Sequence, residues 1–209
     1  GVMTALSKTT LSGYVDTSAS WSDTSAAVPL HGRVAYQNTA KMDGFNLDVI
    51  GLTLEKPLDE SDWASGYRVD VLLGPDASQY VGTSPIASAP GAGASDTVGI
   101  KQAYVNTRVP VGNGLDVKMG VYDAIIGYEV FTNGANPNYS RSFAYNLEPF
   151  AHTGALASYQ VNDMVGVNAG IANTSRSVIN DRAGLLGGSS SHFSYMASVA
   201  VVAPESMGA

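Results

Sequence analysis

The chain has 209 residues, of which only 14% are charged, 44% are hydrophobic and none is cysteine. Its longest apolar run, Met196 to Ala203, is far shorter than the ~18–20 residues of a spanning helix, and the lack of cysteine excludes thiolate metal sites, disulfide scaffolds and cysteine nucleophiles. The net charge of −7 comes from 11 basic and 18 acidic residues with no Lys/Arg cluster, so nucleic acid is a poor partner.

Read in chain order, the sequence shows period-two alternation and hardly any helical periodicity. Leu11, Gly13, Val15, Thr17, Ala19 and Trp21 alternate with Ser12, Asp16, Ser18 and Ser20. Segment 45–56 is a second strand whose phase switches around Ile50–Gly51, as a β-bulge would make it do. In the third, Tyr67, Val69, Val71 and Leu73 oppose Gly66, Arg68 and Asp70. Segment 98–109 is the fourth. In the fifth, Leu115, Val117, Met119 and Val121 oppose Asp116, Lys118, Gly120 and Tyr122. Segment 151–161 is the sixth. In the seventh, Val165, Val167, Ala169 and Ile171 oppose Gly166, Asn168 and Gly170. In the eighth, Phe193, Tyr195, Ala197, Val199 and Val201 oppose His192, Ser194 and Ser198.

The connections alternate in length. Segments 23–44, 74–97, 123–150 and 173–191 are long. Segments 57–63, 110–114 and 162–163 are short and carry turn chemistry in Pro57 with Asp59, Pro110-Val-Gly-Asn-Gly114 and Asn162-Asp163. An antiparallel meander with these lengths puts every long loop at one end, the asymmetry of an outer-membrane barrel. Each strand then has an apolar face towards lipid and a polar face towards a lumen. Trp21, Trp63, Tyr67, Tyr122 and Tyr159 stand near strand ends, where an interfacial girdle would be. The same alternation suits a soluble sandwich whose apolar faces meet, such as an adhesin or lectin-like binding module, and a structural barrel without an open pore is a third reading.

Three stretches together carry a resemblance: Gly44-Phe-Asn-Leu-Asp-Val-Ile-Gly-Leu-Thr-Leu-Glu-Lys-Pro57, the Gly66-Tyr-Arg-Val-Asp70 strand leading to Gly74-Pro-Asp76, and the block from Lys101 to Ser158. That block includes Gln102-Ala-Tyr104, Ile126-Gly-Tyr-Glu129, Asn136-Pro-Asn-Tyr-Ser-Arg-Ser142, Glu148-Pro149 and His152-Thr-Gly154. The chain resembles the OmpL-like beta-barrel porins of bacterial outer membranes over roughly residues 44–173. The resemblance implies an antiparallel up-and-down transmembrane β-barrel and passive diffusion of small hydrophilic solutes or ions through a water-filled pore. It also implies outer-membrane lipid as the surrounding partner. Self-association into a homo-oligomer is compatible with it.

The inward residues are mostly small or short and polar, such as Ser12, Ser18, Gly66, Asp70, Gly120, Gly166, Asn168 and Ser194. A closed eight-stranded barrel needs its interior filled by side chains. The expectation is therefore a single barrel domain, 1–209, whose eight strands belong to a wider barrel of about sixteen. The opening Gly1-Val2-Met3-Thr4 lacks a basic region and an apolar region, so an exported protein is expected here in processed form.

An enzyme is not expected. His152 follows Glu148 by four positions in a serine-rich chain, but no Gly-x-Ser-x-Gly elbow accompanies them. No cofactor and no metal are expected: Asp59, Glu60 and Asp62 read as a solvated turn, and Gly91-Ala-Gly-Ala-Ser95 lacks the lysine of a phosphate loop. The chemistry concentrates in 123–150, a long and unusually aromatic connection. Its candidate constriction residues are Asp123, Tyr128, Glu129, Tyr139, Arg141 and Glu148. Folded into the barrel mouth, it would narrow the pore and, with an excess of carboxylates, favour cations. Packed on neighbouring loops or another subunit, it would do neither.

Overall fold

The computed structural model describes residues 8–21, 44–80, 98–175, 177–182 and 192–202. Eight strands follow one another: β1 (Thr10–Ser20), β2 (Gly44–Lys56), β3 (Ser65–Leu73), β4 (Val98–Val109), β5 (Leu115–Asp123), β6 (Ala151–Asn162), β7 (Val165–Ala172) and β8 (Ser194–Val201). All neighbours are antiparallel and the spatial order is the chain order. This is an all-β, up-and-down sheet of eight strands, and it is not closed: β1 and β8 are its two edges. Among the described residues no second sheet packs against it, so the sandwich is not the fold.

Cross-strand partners share a face, so the register assigns every strand residue to one side. The inner face carries Ser12, Tyr14 and Asp16 of β1, Gly51, Thr53 and Glu55 of β2, and Arg68, Asp70 and Leu72 of β3. It continues with Gln102, Tyr104, Asn106 and Arg108 of β4, Asp116, Lys118, Gly120 and Tyr122 of β5, and His152, Gly154, Leu156 and Ser158 of β6. Gly166, Asn168 and Gly170 of β7 and Ser194, Met196 and Ser198 of β8 complete it. The outer face is the complementary set, and it is apolar and uncovered: Leu11, Val15, Phe45, Leu52, Val105, Met119, Tyr195, Val199 and Val201 are all exposed.

Three bulges modify the alternation. The one in β2 falls at Asp48, where Asp16 pairs with Val49 and Thr17 with Leu47. That is two residues before the phase switch expected at Ile50–Gly51. The extra residue turns Asp48 inward, where its carboxylate accepts a hydrogen bond from the Ser18 hydroxyl at 2.9 Å. A second bulge leaves Lys101 unpaired between the Asp70–Gln102 and Val71–Ile100 pairs. A third leaves Val161 unpaired beside the turn to β7.

Outward aromatics gather at both ends. At the short-turn end stand Tyr67, whose hydroxyl meets that of Thr9 at 2.8 Å, Tyr159, which accepts from the Asn113 amide at 3.3 Å, and Trp63. At the other end Trp21 and Phe45 make an edge-to-face pair with centroids 5.6 Å apart, and Tyr195 stands exposed at the start of β8. Tyr122 does not join either group. It pairs with His152, points inward and is fully buried, because position 122 continues the phase of Asp116 and Lys118.

Gly120 sits at φ 134°, and a Cβ there would collide with the Ala103 carbonyl oxygen and lie 2.8 Å from the Tyr104 Cα. Strain of this kind costs about 1–3 kcal/mol. Gly120→Ala should lower the stability of the folded sheet by that amount in denaturant titrations followed by tryptophan fluorescence. Ala103→Gly in the same background should not restore it, because the obstructing atoms are backbone.

Candidate functional site

The connection from β5 to β6 lies on the inner face. From Asp123 it crosses β4, β3 and β2 to reach β1, where the Asn133 amide donates to the Asp16 carboxylate at 2.5 Å. Strands lie about 4.8 Å apart, so four spacings make a traverse of about 19 Å. Apolar contact anchors this crossing. Phe131 and Tyr145 of the segment bury themselves against Val49, Leu72, Ala77 and Tyr80, with Tyr14 and Phe150 at the margin. Tyr80, delivered by a 3-10 turn over Pro75–Tyr80, meets Phe131 edge-to-face at 5.3 Å, and Tyr145 lies 5.2 Å from Phe150.

Arg141 organises the segment internally. The residue is only 5% exposed, and its guanidinium donates to the carbonyls of Val130, Phe131, Asn138 and Tyr139 and to the Asn133 side chain, at 2.9–3.2 Å. It also lies over the Tyr145 ring, 5.6 Å from the centroid. Only a planar fork of donors can collect so many carbonyls at once. The group stands inside the loop rather than across an opening from Glu129 or Glu148.

Glu129 closes the base of the same turn. Its carboxylate accepts from the Ser142 amide at 3.1 Å and from the Ser142 hydroxyl, while that hydroxyl accepts from the Tyr145 amide at 3.3 Å. Ser142 thereby caps the short helix α1 (Phe143–Leu147). The Ser142 hydroxyl holds the Glu129 carboxyl below its ordinary pKa, and burial pushes the Tyr145 hydroxyl above its own. Of the remaining sequence candidates, Asp123 pairs with Lys101 at the end of β5, Tyr128 and Tyr139 are exposed on the segment, and Glu148 leads back into β6. Asp123, Glu129 and Glu148 line one small recess with Lys101. Tyr139 and Arg141 do not line it.

Beneath the segment the wall of β2–β5 is a ladder of paired charges. Arg68 meets Asp70 at 2.9 Å and Glu55 at 3.6 Å, and Asp70 also accepts from Thr53 and Gln102, each at 2.8 Å. Arg108 meets Asp116 at 2.7 Å, and the Lys118 ammonium lies 4.4 Å from the Tyr104 ring centroid. The bulge at Lys101 brings this ammonium to Asp123, a contact that simple alternation hides. The wall of β6–β8 differs: Gly154, Gly166, Gly170, Ser158, Asn168, Ser194 and Ser198 leave it low and uncharged.

Other sequence candidates lie apart from this region. Asp59 binds Lys8 at 3.1 Å, and the Ser61 hydroxyl brings its carboxyl down to about 2. No group of three or more potential metal-ligating acids or histidines forms among the described residues. His31 and Gly91-Ala-Gly-Ala-Ser95 lie outside the described residues.

Two outcomes test the architecture of the segment. Arg141→Lys should expose 130–142 to limited proteolysis while the sheet stays folded, since each carbonyl stripped of its donor in a buried place costs about 1–3 kcal/mol. The Glu129 clasp follows the sign of its depressed pKa. It is fully made above the ordinary carboxylate value and is lost as pH falls through the lower folded value. Proteolysis of 129–142 should therefore rise as the pH falls below the ordinary carboxylate value of about 4.3, and Glu129→Gln should abolish that dependence.

Neither a curated protein nor a solved structure matches the chain. A family model does match, from residue 8 to residue 202, covering all eight strands and the segment folded over them. The chain belongs to the family described as putative beta-barrel porin-2, OmpL-like.

Proposed function

We propose that this protein is an outer-membrane porin through which small hydrophilic solutes or ions diffuse passively, with 124–150 as its constriction. The observation that carries the reading is the division of one sheet into two unlike surfaces. The outer surface is apolar, uncovered and bounded by aromatic residues at both ends, the profile of a lipid-facing band. The inner surface is charged and hydrogen-bonded and has a structured segment laid over half of it.

The eight strands form one part of a wider barrel domain. A closed eight-stranded barrel has room only for its own side chains, whereas this inner face also carries Phe131, Tyr145, α1 and Tyr80. The open path runs past the low wall of β6–β8, since 124–150 covers the ladder of β2–β5. Long connections face outward from the cell and short turns face the periplasm. Nothing in the reading calls for an enzyme. Among the described residues His152 makes no hydrogen bond to a serine.

Acids outnumber bases over the inner face and the segment laid on it. Asp16, Asp48, Glu55, Asp70, Asp116, Asp123, Glu129 and Glu148 stand against Arg68, Lys101, Arg108, Lys118 and Arg141. Fixed carboxylates at a narrow, low-dielectric passage attract cations. Asp96 and Arg176, which also bear on the charge of the long loops, lie outside the described residues.

Planar-bilayer recording tests the pore. Deleting 130–147 should raise single-channel conductance, and Glu129→Gln with Glu148→Gln should shift the reversal potential in a salt gradient towards anions. A protein that inserts but conducts nothing would sink the reading. The lipid-facing assignment has its own check. Val167→Arg should cost roughly 2–4 kcal/mol in folding into bilayers, and Asn168→Arg, on the lumen side, should cost much less.

A further inference from the structure

Between the returning end of 124–150 and the low wall lies a cavity of about 490 Å³. Its walls divide by chemistry. Ile126, Leu147, Pro149 and Met196 are apolar, while Glu148, His152, Ser175 and Ser194 present polar groups. Its volume lies within the range of small-molecule sites, which combine mainly apolar walls with a few placed polar groups.

Two side chains mark it as more than a gap in packing. His152 is only 3% exposed, and neither ring nitrogen completes a hydrogen bond, although the Thr174 backbone lies beside it. A buried polar group without a partner is destabilising, so it calls for one. The Glu148 backbone N–H closes α1 on the Ala144 carbonyl, but its carboxylate makes no hydrogen bond or ion pair among the described residues. Gly127 makes room for it: a Cβ at this position, where φ is 93°, would sit 2.8 Å from the Glu148 carboxyl carbon. The carboxylate is thus held against the cavity wall rather than spent on the loop.

The shape of the polar set selects a ligand class. Glu148 accepts only, His152 offers a lone pair, and the serine hydroxyls both accept and donate. No Lys or Arg lines the cavity among the described residues. An anion would meet one uncompensated negative charge. A neutral polyol would leave that charge uncompensated in a half-apolar setting. An ammonium group satisfies it and supplies donors to His152.

We propose that this cavity is a binding station for a small organic cation, an alkylammonium whose charged end lies between Glu148 and His152 and whose carbon chain lies on Ile126, Leu147, Pro149 and Met196. The proposal deepens the porin reading and rests on it for its role, since an occupied station beside the open wall would slow a cation in transit.

The test is titration calorimetry of the folded protein in detergent micelles with n-butylammonium, n-butanol and butyrate at equal ionic strength. Butylammonium should bind saturably. Glu148→Gln should weaken it by about tenfold or more, the usual consequence of removing one member of a desolvated charge pair. His152→Asn should weaken it less, and Asn113→Ser, at the distant short-turn end, should not change it. Should Glu148→Gln fail to fold, the His152 variant and the ligand comparison decide alone. No saturable binding, equal binding of butanol or butyrate, or binding indifferent to both substitutions would overturn the station. Bilayer conductance separates this from the porin reading: conduction without binding removes only the station, and binding without conduction removes only the pore.

Discussion

A strand surrounded by lipid has no water to satisfy its amide and carbonyl groups, so each strand needs a paired neighbour on both sides. That constraint organises the molecule. It fixes the meander, because antiparallel neighbours joined by short turns pair with the least loop. It also makes the open edges consequential. Among the described residues the far sides of β1 and β8 are unpaired, and a barrel cannot leave them so within a bilayer. Closure by further strands answers the edge problem and widens the lumen in one step.

The width so obtained explains the second layer of the design. A wide lumen is not filled by wall side chains, so something else has to define its bore. On the proposed porin reading residues 124–150 would do this, with a small core of their own. Phe131 and Tyr145 bury apolar surface on Val49, Leu72 and Tyr80, while the Arg141 guanidinium satisfies the carbonyls that folding the loop would otherwise strand. The far end is tied to β1 through Asn133 and Asp16. The segment is thus rigid for a reason that differs from the rigidity of the sheet: local hydrogen bonding around one cation replaces the strand ladder.

The strands were legible in the sequence because period two is the direct imprint of two environments. Val165, Val167 and Ile171 against Gly166, Asn168 and Gly170 is the observed facing of β7. Bulges blur that imprint. Asp48 and Lys101 sit where two successive residues turn inward, and side-chain pattern alone placed the first of them two residues late and missed the second. The segment was legible as a place but not as a mechanism. Its aromatic richness marked it out, yet the clustering of carbonyls on Arg141 depends on loop backbone, which carries no periodicity. Tyr80 was invisible for the same reason: its role arises from a 3-10 turn that redirects one side chain onto the inner face.

Placement of charge follows from this arrangement. Inside the lumen, the acids and bases of β2–β5 largely neutralise one another in pairs a few ångströms apart, and such pairs project little field beyond a Debye length of about 8–10 Å. In the proposed pore, the groups that would act on a passing solute are those left outside the pairs. Glu148 is one, held by Gly127 on the side of the open wall rather than over the ladder. On the proposed reading, a single carboxylate beside a low wall of glycine and serine would exert more influence than several acids already satisfied by arginine. In the proposed pore, selectivity would therefore turn less on the sum of the charges than on which of them the folded segment leaves unspent.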